Sequence, residues 1–143
     1  MELVAVVTLL GMFAAVAASR SDGFFADAKA RTEAETLAAL LHDARRRAIL
    51  TGDSHGVDFV RSGGDVLSYQ LTRETSPGVW TGVEDAVPTP AGLSITSGSD
   101  NARYSFEGTP LHGGVTVTCW GPHQDWQIWM PPLAGSIRVT RLP

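Results

Sequence analysis

From Leu3 to Ser19 the chain carries no charged residue. As a helix rising 1.5 Å per residue the run spans roughly 25 Å, slightly less than the ~30 Å core of a bilayer. It is too long and too evenly apolar for a helix of a small domain. Further on, Leu37, Leu40, Leu41, Ala44 and Ala48 recur at helical spacing, while Glu33, Glu35, Asp43 and Arg45 to Arg47 take other faces. An apolar helix that runs on into an amphipathic one is the expectation. Ser21-Asp22-Gly23 is the weak point between the halves, where a kink or local melting is cheapest, since Gly costs about 1 kcal/mol relative to Ala. Gly52 after Thr51 is a natural helix stop, and Arg45-Arg-Arg47 near that end complements the helix dipole.

Beyond Gly52 the pattern changes to short alternating runs broken by turn residues, the signature of antiparallel β structure. Six to eight strands are expected. His55 to Val60 and Asp65 to Leu71 flank Ser62-Gly-Gly64, a hairpin turn that glycine permits. Gly78 to Val83 follows, then a loop at Pro88-Thr-Pro90, then Leu93 to Thr96 and Ala102 to Phe106. Val115 to Trp120, Trp126 to Met130 and Ser136 to Arg141 close the chain. The fold class is therefore α+β: a long N-terminal helix, half apolar and half amphipathic, followed by a small antiparallel β-rich head. Three segments result, 1–20 as an apolar transmembrane helix, 21–52 as an amphipathic helix packed on the head, and 53–143 as the head.

With 143 residues there is room for one core. The single cysteine, Cys119, cannot form an intrachain disulfide and lies in an alternating run, where it reads as a small buried apolar residue. Trp80, Trp120, Trp126 and Trp129 could form a stacking platform, but filling the core of so small a domain is the favoured reading. Trp126 and Trp129, three apart in a strand, face opposite ways, so one of them should be more exposed. A formal charge of −4 does not call for a dedicated nucleic-acid binder. No catalytic constellation emerges. His55-Gly-Val-Asp58 and His123-Gln-Asp125 are the nearest approaches, neither matches a metal-site spacing, and neither a phosphate loop nor a serine elbow is present. No enzyme activity, cofactor or metal is expected.

Three readings compete for the N-terminal run. Ala15-Val-Ala17 would suit cleavage of a secretory signal, but a basic n-region is missing and Glu2 has the wrong sign. A buried core helix ranks lowest, for want of a large apolar partner later in the chain. A retained anchor leading into the amphipathic helix fits best. Glu2 then needs a reason, because a carboxylate in hydrocarbon is costly without a cationic partner. Its plainer role is to sit in headgroup water and favour the helix N-terminus.

The run Met1-Glu-Leu-Val-Ala-Val-Val-Thr-Leu-Leu-Gly-Met-Phe-Ala-Ala-Val-Ala17 resembles the N-terminal helix of type IV pilins and type II secretion pseudopilins. In that class a glutamate precedes a long apolar run, a glycine follows about nine positions later, and an Ala-rich stretch comes next; here these are Glu2, Gly11 and Ala14 to Ala18. Leu40 to Gly52 resembles the helix end of the GspH/FimT group of minor pilins. Phe106-Glu-Gly, Val115-Thr-Val-Thr and Gly135 to Val139 are looser matches to its C-terminal pattern. Family precursors carry a short basic leader ahead of the glutamate, which the chain as written does not show.

The resemblance implies a pilin-like fold and a structural subunit of a type II secretion pseudopilus or type IV pilus. Its location would be the inner membrane, single-pass, with the head in the periplasm or outside the cell. Positive charge alone would instead leave Arg20, Lys29 and Arg31 in the cytoplasm. The implied partners are other pilin-like subunits, the prepilin peptidase, the inner-membrane assembly platform and membrane lipid, with no cofactor. The implied assembly residues are Glu2, Leu3, Val6, Leu10, Gly11 and Phe13, Glu2 meeting a cation such as a neighbouring subunit's N-terminal amine. Arg138 and Arg141 are a candidate contact for a nucleic-acid phosphate backbone or an acidic partner, against the favoured reading that they are solvated edge charges. The rival function is an independent membrane-anchored module whose β-head captures a ligand or DNA. A basic leader ending in glycine at the gene start would favour the pilin reading over that rival.

Overall fold

The computed structural model describes the backbone of residues 2–132 and 136–143, and the side chains of 6–15, 23–132 and 136–143. Helix α1 (Glu2–Thr51) runs 50 residues without a break, through Gly23 as well. That is about 75 Å of helix. The local melting expected at Ser21 to Gly23 does not occur, and the side chains of Ser21 and Asp22 lie outside the described residues. The helix ends at Gly52, which takes φ 73° and donates its N–H to the Ala48 carbonyl at 3.1 Å. A glycine in this left-handed position is a common way to satisfy the last helical carbonyls. The last turn carries no basic residue, so Arg45 to Arg47 fall a turn short of the dipole's end. Arg46 and Arg47 are tied instead to Asp43, at 2.7 and 2.6 Å.

Among the described residues nine antiparallel strands follow: β1 (His55–Ser62), β2 (Asp65–Ser76), β3 (Val79–Gly82), β4 (Val87–Pro88), β5 (Ser94–Ser97), β6 (Asn101–Tyr104), β7 (Val115–Trp120), β8 (Trp126–Met130) and β9 (Arg138–Arg141). Their order is β6-β1-β2-β5-β7-β8-β9, with β3 and β4 paired to β2 off this path. The β1–β2 turn sits on Gly63 and Gly64, both at positive φ, as the Ser62-Gly-Gly64 signature requires. Two elements depart from expectation. β2 runs five residues beyond Leu71 because its far half is paired by β3. The Pro88 segment, expected as a loop, forms the short strand β4 opposite Ser68 and Tyr69. Proline is tolerated in a strand paired on one side only.

The helix meets the sheet along a seam of Ala30, Ala34, Leu37, Ala38, Leu41, Ala44 and Ala48, all buried. Small residues at most of these positions let backbone and sheet approach closely, and the two leucines fill the space between. Across the seam lie Val57, Leu71, Ile95, Val117, Ile128 and Met130. Leu40, expected on the same face, packs only at the rim.

Two expectations about the interior are overturned. Glu33 is on the buried face, where it accepts a hydrogen bond from the Tyr69 hydroxyl at 2.7 Å. Burial, and then the Glu33 carboxylate, push the tyrosine's ionisation above its ordinary range. The tryptophans do not fill the core: Trp120 and Trp129 are 45% and 40% exposed, and Trp80 and Trp126 are only partly buried. Register decides this. Val115, Val117 and Cys119 of β7 point to the helix, opposite Met130, Ile128 and Trp126. Trp120 and Trp129 therefore fall on the outer face, where Trp120 Nε1 donates to Thr96 Oγ1 at 2.9 Å. Phe59, Tyr69 and Tyr104 supply the buried rings instead. Of the pair Trp126 and Trp129, the latter is the more exposed, as the spacing requires.

Two measurements follow from this core. Tyr69→Phe leaves the buried Glu33 carboxylate without its donor, so denaturant unfolding should show a loss of about 1–3 kcal/mol. Burial pushes the Cys119 thiol from an ordinary 9.0 up to about 12. Between those values the unfolded chain releases a proton that the folded chain keeps. The stability due to the protonated thiol is therefore full below pH 9 and should fall as pH rises from 9 toward 12, so Cys119→Ala should flatten the loss between pH 9 and 10 and leave the part above pH 10 that the buried tyrosines contribute.

Candidate functional site

The sheet covers only the C-terminal part of α1. Every described side chain from residue 6 to 15 is exposed, and among them Val6, Leu10 and Phe13 expose 55%, 63% and 69% of their surface. A Cβ placed on Gly11 would touch nothing within 4 Å. These four expected assembly residues thus share a bare helical rod. The side chains of the other two, Glu2 and Leu3, lie outside the described residues. Nearer the head, Phe24 and Phe25 are also exposed, edge to face at 6.1 Å between ring centroids. Exposed apolar patches on this scale mark surfaces that meet protein or lipid. Among the described residues, no helix is long and apolar enough to cross a membrane.

The head's own chemistry is dispersed. Arg138 and Arg141 are both exposed on β9 but are not brought together: Arg138 pairs in register with Trp129 and Arg141 with Trp126, which places them on opposite faces of the sheet. His55 is buried with Nδ1 3.0 Å from the Asp53 carbonyl, while Asp58 pairs with Arg103 at 3.2 Å. His123 is in the β7–β8 loop, against Gly23. Among the described residues no three His, Cys, Asp or Glu side chains cluster in a way that could hold a metal ion.

A depression of about 520 Å³ is lined by Arg47, Thr51, His55, Arg73, Thr81 and their neighbours. Its cations already face carboxylates. Arg47 contacts Asp43 at 2.6 Å and Glu84 at 2.5 Å, and Arg73 lies 3.9 Å from Asp53. The Arg46 hydrogen bond, with Arg47 adding to it against some desolvation, holds the Asp43 carboxyl below its ordinary range.

Sequence reasoning missed the residues that join helix to head. Asp27 and Lys29 reach the loops after β7 and β4, and neither is distinguishable in the sequence from a solvated helix charge. Gly121-Pro122 between two strands was the available signal, since it marks a tight turn that could approach another backbone closely.

A long helix, bare and apolar at its N-terminal end and packed at its other end on an antiparallel sheet, is the pilin-like α+β fold. Solved structures agree. The minor pseudopilin EpsH from the type 2 secretion system of Vibrio cholerae matches with a TM-score of 0.65 at 15% identity, over 78% of this chain and 96% of that one. The type IV minor pilin FimU of Pseudomonas aeruginosa matches with a TM-score of 0.61 at 14% identity, over 79% and 87%. No protein-family model and no curated protein matches the sequence.

If the bare rod is the working surface, charging it should change where the chain partitions and not how the head folds. Leu10→Arg with Phe13→Arg adds about 2.5–3.5 kcal/mol per arginine to membrane insertion. Detergent phase separation should show the variant moving to the aqueous phase, with an unchanged melting transition of the head.

Proposed function

We propose that this chain is a minor pilin or pseudopilin, a structural subunit assembled through its N-terminal helix into a type II secretion pseudopilus or a type IV pilus. One observation carries the reading: a head of pilin-like fold leaves the apolar residues 6–15 of its own helix uncovered. An isolated folded protein gains nothing from ten such residues of exposed apolar helix. A bilayer before assembly, and neighbouring helices after it, would each cover that surface.

In this reading residues 1–20 form the membrane and filament-core helix, 21–52 the helix packed on the head, and 53–143 the head. The protein resides in the inner membrane with its head on the periplasmic or outer side until it is incorporated. Other pilin-like subunits, the assembly platform and membrane lipid are its partners, and the prepilin peptidase acts on it before assembly. Leu3, Val6, Leu10, Gly11 and Phe13 pack against neighbouring helices, and Glu2 meets a cation inside that bundle. A carboxylate moved from water into an apolar bundle is costly alone and tolerated when paired, which makes Glu2 a test of correct docking.

Glu2→Ala should leave the head folded and reduce the chain's recovery in sheared filaments by at least about tenfold, the equivalent of roughly 1.4 kcal/mol in assembly. Recovery of Glu2→Ala at the wild-type level would return Glu2 to headgroup water.

A further inference from the structure

Where α1 leaves the head, the β7–β8 loop is seated on it. Asp27 Oδ1 accepts the backbone N–H of His123 at 3.0 Å and that of Gln124 at 3.1 Å. Two successive amides converging on one oxygen make a backbone nest for an anion. Here the anion is a side chain 96 residues away in sequence. The loop is braced from within, because Gly121 donates its N–H to Asp125 Oδ1 at 3.2 Å. Both surfaces are cut to fit. A Cβ on Gly121 would lie 2.7 Å from Asp27 Oδ1 and 2.5 Å from the Gln124 carbonyl oxygen, and one on Gly23 would lie 2.7 Å from His123 Nε2. Lys29 Nζ donates to the Ala91 carbonyl at 2.5 Å, on the connection from β4 to β5. One turn above Asp27, the Arg31 guanidinium lies over the Trp126 ring, 5.4 Å from its centroid.

These contacts act at the start of a lever. Leu10 is 17 residues from Asp27, about 25 Å along the helix, so a swing of about 10° at Asp27 would move it sideways by about 4 Å. Alanine packing along the seam resists lifting of the helix but does not fix the angle at its lower end, whereas hydrogen bonds are directional.

We infer that Asp27 and the β7–β8 loop form a latch that sets the angle and rotation at which the apolar helix leaves the head, and that Asp27 is a positioning residue for assembly. The latch itself stands on geometry alone, and its consequence for assembly rests on the filament role proposed above.

The test uses the full chain in detergent, with spin labels at L10C/H112C in a Cys119→Ala background, and compares Asp27→Leu with Asp27→Asn. The asparagine side chain keeps an oxygen able to accept the same two N–H groups. Asp27→Leu should broaden the distance distribution between the labels and speed hydrogen exchange of the His123 and Gln124 amides by about tenfold, the equivalent of one charge-assisted hydrogen bond. Asp27→Asn, which keeps both hydrogen bonds but loses their charge assistance, should fall between wild type and Asp27→Leu in both. Unchanged distances and exchange in Asp27→Leu, an Asp27→Asn variant as disturbed as Asp27→Leu, or a head that unfolds on either substitution would each overturn the latch. In filaments, Asp27→Leu should lower incorporation about tenfold while Asp27→Asn lowers it less. Disturbed distances with undiminished incorporation would overturn the assembly role. A wild-type chain that never enters filaments would refute the filament reading and leave the latch to be judged on distances and exchange.

Discussion

The seam between α1 and the sheet is the contact on which the rest of the molecule depends. Alanines at positions 30, 34, 38, 44 and 48 bring the helix axis close to the strands, and Leu37 and Leu41 anchor it there. Removing a buried leucine from such a contact typically costs 2–5 kcal/mol, a large part of the 5–15 kcal/mol that holds a domain folded. The seam is also finite. A sheet of two- to twelve-residue strands buries the face of α1 from Ala30 to Ala48, and the exposed apolar side chains of residues 6–15 are left to find their cover elsewhere.

That division explains the distribution of apolar surface. The head buries its own apolar surface: its core is closed by Tyr69, Tyr104 and aliphatic side chains from both ends of the sheet, and the buried Glu33 carboxylate is met by Tyr69. Its surface ion pairs, such as Arg31 with Glu35, are exposed and contribute little. The rod does not satisfy itself. Apolar side chains in water at Val6, Leu10 and Phe13 are a standing cost that only lipid or another helix relieves. Stability of the head and demand for a partner are thus segregated along a single helix. What covers the rod can therefore change without disturbing the fold that carries it.

Rigidity at the boundary follows from the same geometry. A bare helix attached to a head only by greasy contacts would be free to rock, and its tip would sample many positions. The Asp27 carboxylate, the Gly121 turn and the Lys29 contact gather directional hydrogen bonds at the one place where the angle is set.

Local pattern made much of this legible in the chain before any coordinates. The uncharged run from Leu3, the helical spacing of Leu37, Leu41 and Ala44, the stop at Gly52 and the Gly63-Gly64 hairpin all depend on residues close in sequence, and each element forms where its period and turn chemistry place it. The resemblance at Glu2 and Gly11 pointed to the pilin-like architecture for the same reason, since a helix motif is read within a few turns of itself. What each element meets across space could not be read this way. Glu33 looked like part of a polar face until Tyr69, from a strand 36 residues on, supplied its partner. The tryptophans looked like core until strand register turned Trp120 and Trp129 outward, whereas the opposite faces of Arg138 and Arg141 follow from their three-residue spacing alone. Asp27 looked like any helix-surface acid until the β7–β8 loop closed on it. Sequence determined the periods and therefore the elements; only the tertiary structure decided the pairings, because which residues face one another across a sheet is set by register and packing among segments far apart in the chain.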